Sequence, residues 1–128
     1  MLFRSHARIC SVFRKAASEG ITLPPRTDQI LDRLTLDEEM ALIRVMAEFP
    51  ALLEDISRSL EPHRLTYYLT ELAALFHKYF NLGSKIPENR IVGEDVTLSQ
   101  ARLSLAEGIR IVLHNGLDLL GIHAPERM

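Results

Sequence analysis

Basic side chains on one face of the first predicted helix could bind a ligand through their type and spacing. Arg4, Arg8 and Lys15, with Ser11 between them, recur at helical intervals, and no acidic residue lies in that stripe. At 100° per residue the four side chains fall within about 60° of one another, and Arg14 stands on the shoulder of the same helix. A solvated face is the usual explanation for such charges. The alternative is a helix that contacts phosphates or bases, because the planar guanidinium group suits both.

Motifs for catalysis or metal binding do not occur in the sequence. The six glycines are scattered and form neither a GxGxxG nor a P-loop pattern. Cys10 lies on a helix flank among apolar neighbours, which favours an inert packed thiol over a nucleophile. Metal-ligand spacing is also missing among the histidines, which are His6, His63, His77, His114 and His123. We therefore expect no catalytic residue, no metal and no cofactor in this chain.

Length and composition fit one globular domain spanning residues 1–128. Hydrophobic residues make up 47% and charged residues 25% of the chain, as in ordinary globular proteins. The net charge of −2 argues against a generally basic nucleic-acid binder but allows a local basic patch. A single cysteine excludes an internal disulfide, and no apolar run reaches the roughly 18 residues of a membrane span. The sequence thus predicts a cytoplasmic protein without a membrane segment.

The elements that must position the basic stripe follow a period of 3.6 residues. Leu2, His6, Ile9, Phe13 and Ala16 form an apolar stripe opposite the basic one, which predicts a helix over 2–17 that ends at Gly20. Further helices are expected to open at a Thr35–Glu38 capping box, at Pro50, at Pro62 and at a Thr97–Gln100 capping box.

Residues 81–95 are the one long loop that the pattern predicts, and Gly121 is expected to end the last helix. No stretch shows sustained strand alternation. The fold predicted is therefore all-α, a single bundle of four main amphipathic helices plus one short helix.

Three segments carry a resemblance to a known family. They are HARICSVFRKA at 6–16, EPHRLTYYLTELAALF at 61–76 and ARLSLAEGIRIVLHNGLDLLGIHAPERM at 101–128. They resemble the C-terminal anticodon-binding domain of arginyl-tRNA synthetases, the DALR domain, over essentially the whole chain. The tetrapeptide Asp-Ala-Leu-Arg itself does not occur here. The resemblance implies an all-helical domain from the C-terminus of a larger synthetase.

The resemblance also implies partners and cofactors. In that family ATP and Mg²⁺ are bound by a separate catalytic domain, whose HIGH and KMSKS signatures are absent from this sequence. The partners expected are that catalytic domain and the anticodon stem-loop of arginine tRNA. Every arginine codon has G at its second position, so we expect strict recognition of the central C of the anticodon.

The resemblance also implies which residues of this sequence contact the tRNA, because individual positions match the family pattern. Arg8 and Arg14 match positions that contact the anticodon stem-loop in the family, and Tyr68 matches an aromatic near the anticodon, beside the terminal Met128. The helical periodicity alone places Tyr68 in an apolar stripe, which is more typical of a core residue. Tyr67 is therefore the alternative candidate for the ring that stacks on a base. Where family members often have upstream tyrosines, this sequence has Met1 and Arg4. The candidate tRNA-binding set is Arg4, Arg8, Ser11, Arg14, Lys15, Tyr67, Tyr68 and Met128.

Two other hypotheses remain open from the sequence. One is a free-standing helical adaptor that binds a protein through the same faces. The other is the equivalent domain of another synthetase, such as the glycyl β subunit or the cysteinyl enzyme. The closing APERM peptide favours the arginyl hypothesis over both.

Overall fold

Helical periodicity along the chain corresponds to five α-helices in the structure, a computed structural model that describes residues 2–23 and 31–121. They are α1 (Leu2–Ser18), α2 (Asp37–Ala47), α3 (Phe49–Ser59), α4 (His63–Lys85) and α5 (Val96–Leu119). Two short 3₁₀ turns, Leu31–Arg33 and Pro87–Asn89, complete the regular structure of this part of the chain. The all-α bundle predicted from the sequence is confirmed.

The two long helices α4 and α5 form the centre of the bundle. Both α1 and α2 pack against this pair, and α3 packs against α4. Gly116 on α5 permits close approach, since a Cβ there would lie 2.6 Å from Leu69 Cδ2 on α4. Fully buried side chains from four helices meet between them, among them Ile9, Leu42, Leu72, Phe76 and Ile109. Burial of such side chains makes the main favourable contribution to the free energy that holds α1 against the other helices.

Glycine and proline mark the helix ends as expected. Gly20 and Gly121 have φ of 74° and 76°, the left-handed region that glycine enters most easily. Pro50 lies in the first turn of α3, and Pro62 is the residue before α4. These four predicted boundaries are confirmed.

The capping box predicted at Thr35 and Glu38 is wrong by one residue. The helix α2 begins at Asp37, and the carboxylate of Glu39 accepts a hydrogen bond of 3.0 Å from the backbone N–H of Leu36. Leu36 has no side-chain oxygen to return the bond. Glu39 replaces Glu38 in this role because its side chain turns inward and is completely buried.

The capping box predicted at Thr97 and Gln100 is also wrong. The helix α5 begins at Val96, and Asp95 accepts a hydrogen bond of 3.2 Å from the N–H of Leu98. Asp95 also pairs with Arg33. The hydrogen bond from Arg33, then that from Leu98, lowers the pKa of Asp95 below its usual value. An aspartate is as good a cap as threonine or better, and tertiary pairing decides between them here.

The predicted loop 81–95 is shorter in the structure. The helix α4 continues to Lys85, and Pro87–Asn89 form a 3₁₀ turn. Glycine and asparagine are poor helix formers, which is why the sequence indicates an earlier end. Gly83 nevertheless stays helical and buried, because the backbone of Arg90 packs directly against it. Tertiary packing outweighs local propensity at this point.

Candidate nucleic-acid interface

The basic face of α1 borders a cleft of about 330 Å³ that also involves the C-terminal end of α4 and the following loop. Three cations line it, with hydroxyl groups and an aromatic ring between them: Arg8, Lys15, Arg90, Ser11, Ser84 and Phe80. Among the described residues no carboxylate lines this cleft. Such a surface attracts anions, and it offers both hydrogen-bond donors and an apolar floor.

Arg8 is held in place before any ligand arrives. Its Nη1 donates to Nδ1 of His77 at 3.1 Å. Because a guanidinium group has no acceptor, His77 carries its hydrogen on Nε2, which donates to the hydroxyl of Ser5 at 3.0 Å. The guanidinium carbon lies 4.6 Å from the centre of the Phe80 ring, within cation–π range.

The structure brings only part of the predicted basic set together. Arg8, Ser11 and Lys15 line the cleft, whereas Arg4 and Arg14 are exposed on α1 outside it. None of the four cations of α1 forms an ion pair with another residue in the described ranges. Unpaired cations keep their charge available to a ligand.

The two tyrosines of α4 have opposite environments. Tyr68 is buried, its ring stacks on Phe49 at 5.6 Å and its hydroxyl donates to the carbonyl of Val45. Burial raises the pKa of Tyr68 to about 12, and the nearby Glu48 carboxylate adds to this. Tyr67 is 71% exposed. Of the two tyrosines only Tyr67 thus has an exposed ring, and the predicted stacking role of either residue stays a prediction.

Neither tyrosine lies at the cleft. Tyr67 precedes His77 by ten residues of α4, which corresponds to about 15 Å of helix rise. Met128 and the rest of the closing peptide 122–128 are outside the described residues, so their predicted roles stay predictions.

A second, larger cavity of about 790 Å³ shares Lys15 and Arg90 with the first. Carboxylates lie on its walls, contributed by Glu19, Glu88, Glu94 and Asp95. The cationic surface of the cleft therefore borders an acidic surface where the two cavities meet.

Three residues at the cleft were missed from the sequence. His77 and Phe80 look like ordinary members of an amphipathic helix, and Arg90 looks like a solvated loop charge. Only the packing of α4 on α1 brings His77 and Phe80 to Arg8, and Arg90 reaches the cleft from the loop that follows α4. A weak signal was available in Gly83, because a buried glycine inside a helix often marks a close approach by another segment.

The cysteine and histidine of α1 are packed side chains. His6 is buried, and the Sγ of the half-buried Cys10 lies 3.9 Å from its Nδ1. Neither residue lines the cleft. Within residues 2–23 and 31–121, no group of three or more His, Cys, Asp or Glu side chains could hold a metal ion. No helix in the same ranges is long and apolar enough to cross a membrane.

An all-α bundle with an unpaired cationic cleft has the features of a helical RNA-binding domain. Comparison with protein families identifies it more closely, because the model described as the DALR anticodon binding domain matches residues 2–128. The chain belongs to the DALR anticodon-binding domain family.

The chain is similar to arginine–tRNA ligases. The ligase of Geobacter metallireducens is 47% identical over 124 residues, which is 97% of this chain and 21% of the ligase. That of Carboxydothermus hydrogenoformans is 44% identical with the same coverage. Among solved structures, Thermus thermophilus arginyl-tRNA synthetase is similar, with a TM-score of 0.75, 30% identity and coverage of 99% of this chain and 20% of that one. The chain spans about a fifth of the length of the curated relatives it matches.

Proposed function

We propose that this chain binds the anticodon stem-loop of arginine tRNA during aminoacylation, as the anticodon-binding part of an arginyl-tRNA synthetase. The observation that carries the proposal is the cleft in which Arg8, Lys15 and Arg90 meet without a carboxylate among the described lining residues. Family membership and the arginine–tRNA ligases among its relatives support it. The proposal implies a cytoplasmic protein. It assigns ATP and Mg²⁺ to the separate catalytic domain of that synthetase.

The residues of α1 supply affinity in this proposal. Guanidinium and ammonium groups that neutralise phosphates release counterions, so binding becomes strongly salt-dependent. Arg8 contributes most, because His77 and Phe80 fix its guanidinium group in advance and little side-chain entropy is lost on binding. Lys15 lies two helical turns along α1, which lets the pair follow a phosphate backbone.

Base recognition depends on other groups in this proposal. Loop bases of RNA can be unstacked, placed on an aromatic ring and hydrogen-bonded along their pairing edges. Tyr67, which is 71% exposed, offers a ring that can stack with a base. The terminal Met128 and nearby backbone groups are proposed to cover the central C.

Binding of a synthetic arginine anticodon stem-loop at several salt concentrations tests the proposal. Replacing both Arg8 and Lys15 by Ala is expected to weaken binding about tenfold or more, since charged hydrogen bonds contribute roughly 1.5–3 kcal/mol. The log–log salt dependence should flatten by about one unit for each lost phosphate contact. Arg58→Gln is the matched control, because Arg58 lies on α3 away from the cleft. Unchanged binding by a folded double variant would remove α1 from the site.

A second arm tests base recognition with a stem-loop that has U in place of the central C. Tyr67→Ala should weaken binding to both RNAs, by roughly 1–3 kcal/mol for one stacked base. Deleting residues 124–128 should instead reduce the preference for C over U several-fold, because a polar base contact contributes about 1–3 kcal/mol of discrimination. If the chain captures a protein at high salt but binds neither RNA, the helical-adaptor hypothesis replaces the proposal.

A further inference from the structure

A loop residue that the sequence did not single out adds a third cation to the cleft. Arg90 directly follows the turn Pro87–Asn89, is exposed, and donates from Nε to the carbonyl of Gly83 at 3.3 Å. It forms no ion pair with any residue in the described part of the chain. It therefore lines the same space as Arg8 and Lys15 with its charge uncompensated.

Hydrogen bonds from a buried arginine of α5 hold the backbone around Arg90. Arg102 is only 5% exposed, and its Nη1 donates to the carbonyl of Glu88 at 2.8 Å and to that of Arg90 at 3.0 Å. One nitrogen thus binds the carbonyls on both sides of Asn89. This contact fixes the main chain from which the Arg90 side chain starts.

Arg102 is itself fixed by the buried carboxylate of Glu39, which Tyr79 holds in turn. Its Nε donates to Oε2 of Glu39 at 2.9 Å, and the hydroxyl of Tyr79 donates to the same oxygen at 2.6 Å. The other oxygen of Glu39 accepts from the N–H of Leu36. We call Glu39, Tyr79 and Arg102 the buried network. A guanidinium group bonded on two sides cannot rotate without breaking several hydrogen bonds, so the loop contact is rigid.

The backbone of this loop also packs directly against α4. A Cβ on Gly83 would lie 2.9 Å from the Cα of Arg90, so the two backbones are already in direct contact. Arg102 and Gly83 together fix the backbone of Arg90 on two sides. The main chain that carries Arg90 is therefore held in one position before a ligand binds.

We infer that Arg90 binds an RNA phosphate at the cleft, and that Arg102 is its positioning residue, acting through the carbonyls of Glu88 and Arg90. The inference rests on the proposed function and extends the RNA surface from α1 to the loop after α4. A guanidinium fork binds phosphate well only when it is correctly oriented. Burial of an ion pair costs desolvation free energy and is by itself a weak source of stability, whereas preorganising a binding arginine gives the buried network a direct role.

Binding of the arginine anticodon stem-loop tests the inference in four variants of this chain. Arg90→Gln removes the charge, and Arg102→Lys keeps a charge opposite Glu39 but removes the Nη1 group that holds two carbonyls. The double variant combines them, and Arg58→Gln is the control. Arg90→Gln should weaken binding about 5- to 10-fold and lower the salt slope by about one unit. Arg102→Lys should lower the slope in the same way, and the double variant should bind no more weakly than Arg90→Gln.

The salt slope separates positioning from a purely structural role. If Arg102→Lys loses affinity with an unchanged slope, or if the two losses add in the double variant, Arg102 does not act through Arg90 and the inference is overturned. If Arg90→Gln binds like the wild type while the Arg8 and Lys15 variant does not, the inference fails and the proposed function stands. Absence of binding by the wild-type chain would overturn both.

A second variant covers the case in which Arg102→Lys does not fold. Gly83→Ala moves the backbone of Arg90 from the opposite side and leaves the buried network intact. It should lower the salt slope by about one unit as well. Circular dichroism confirms that it is folded, and an unchanged slope in this folded variant would also overturn the inference.

Discussion

The buried network and the cleft above it both contain arginines, and the two regions treat them in opposite ways. In the network, Arg102 binds two backbone carbonyls and a carboxylate oxygen of Glu39 that also accepts from Tyr79. In the cleft, the guanidinium groups of Arg8 and Arg90 contact a histidine, a ring and a carbonyl, and neither forms an ion pair among the described residues. Charges in this domain therefore divide into those that hold a segment in place and those that stay available to a ligand.

The largest effect is expected from removing the anion of the buried network. Glu39→Ala leaves Arg102 buried without its carboxylate, and loss of one partner of a buried pair costs about 3–5 kcal/mol. We expect the free energy of unfolding, measured by urea denaturation, to fall by that amount. Glu39→Gln keeps an acceptor for Tyr79 and should lose less. Equal stability of Glu39→Ala and the wild type would show that the network does not hold the fold.

Alkaline pH should act on the network through Tyr79. Burial and then the hydrogen bond to Glu39 raise the pKa of Tyr79 well above its ordinary value. A tyrosine in the unfolded chain ionises near pH 10, so the unfolded state loses protons first and stability decreases as pH rises above about 10. The pKa of Tyr68 is raised to about 12, so this residue also lowers the stability of the folded state between about pH 10 and pH 12.

Tyr79→Phe is the variant that isolates this effect. It should cost about 1 kcal/mol at neutral pH for the lost hydrogen bond. Its urea stability should then fall less steeply than that of the wild type between pH 9 and pH 11. Parallel stability curves for the two proteins would mean that Tyr79 does not contribute to the alkaline loss.

An exposed ion pair gives the expected contrast with the buried one. Arg58 on α3 lies 2.6 Å from Glu54 one turn away, and both side chains are mostly exposed. Arg58→Gln should reduce the free energy of unfolding by only about 0.3–0.5 kcal/mol. A loss above 2 kcal/mol, measured in the same urea assay, would remove the contrast between the two kinds of pair.

The smallest change in stability is expected in the cleft itself. Lys15 has no ion-pair partner among the described residues, so Lys15→Gln should leave the free energy of unfolding within about 0.5 kcal/mol of the wild type. The same variant should flatten the salt dependence of stem-loop binding by about one unit. Loss of stability without a change in the salt slope would assign Lys15 to the fold instead of the ligand.

Much of the fold could be predicted from local patterns. The apolar stripe with Ile9 and Ala16, the helix ends at Gly20 and Gly121, and the helix starts at Pro50 and Pro62 all follow from residues close to one another in the chain. The capping boxes at Thr35 and Thr97 failed because a nearby carboxylate competes for each helix start. At α2 the burial of the Glu39 side chain decides which carboxylate accepts the capping hydrogen bond, and at α5 the distant Arg33 does so by pairing with Asp95.

The sequence by itself determined the helices, their buried faces and a basic stripe on α1 that includes Arg8 and Lys15, because periodicity is a property of neighbours in the chain. Tertiary structure alone decided which of those cations share a cleft. His77 lies 69 residues from Arg8, and Arg102 lies 63 residues from Glu39. Such pairs form only when complete helices pack together, since the helical period sets which side a residue faces but not which distant side chain meets it there.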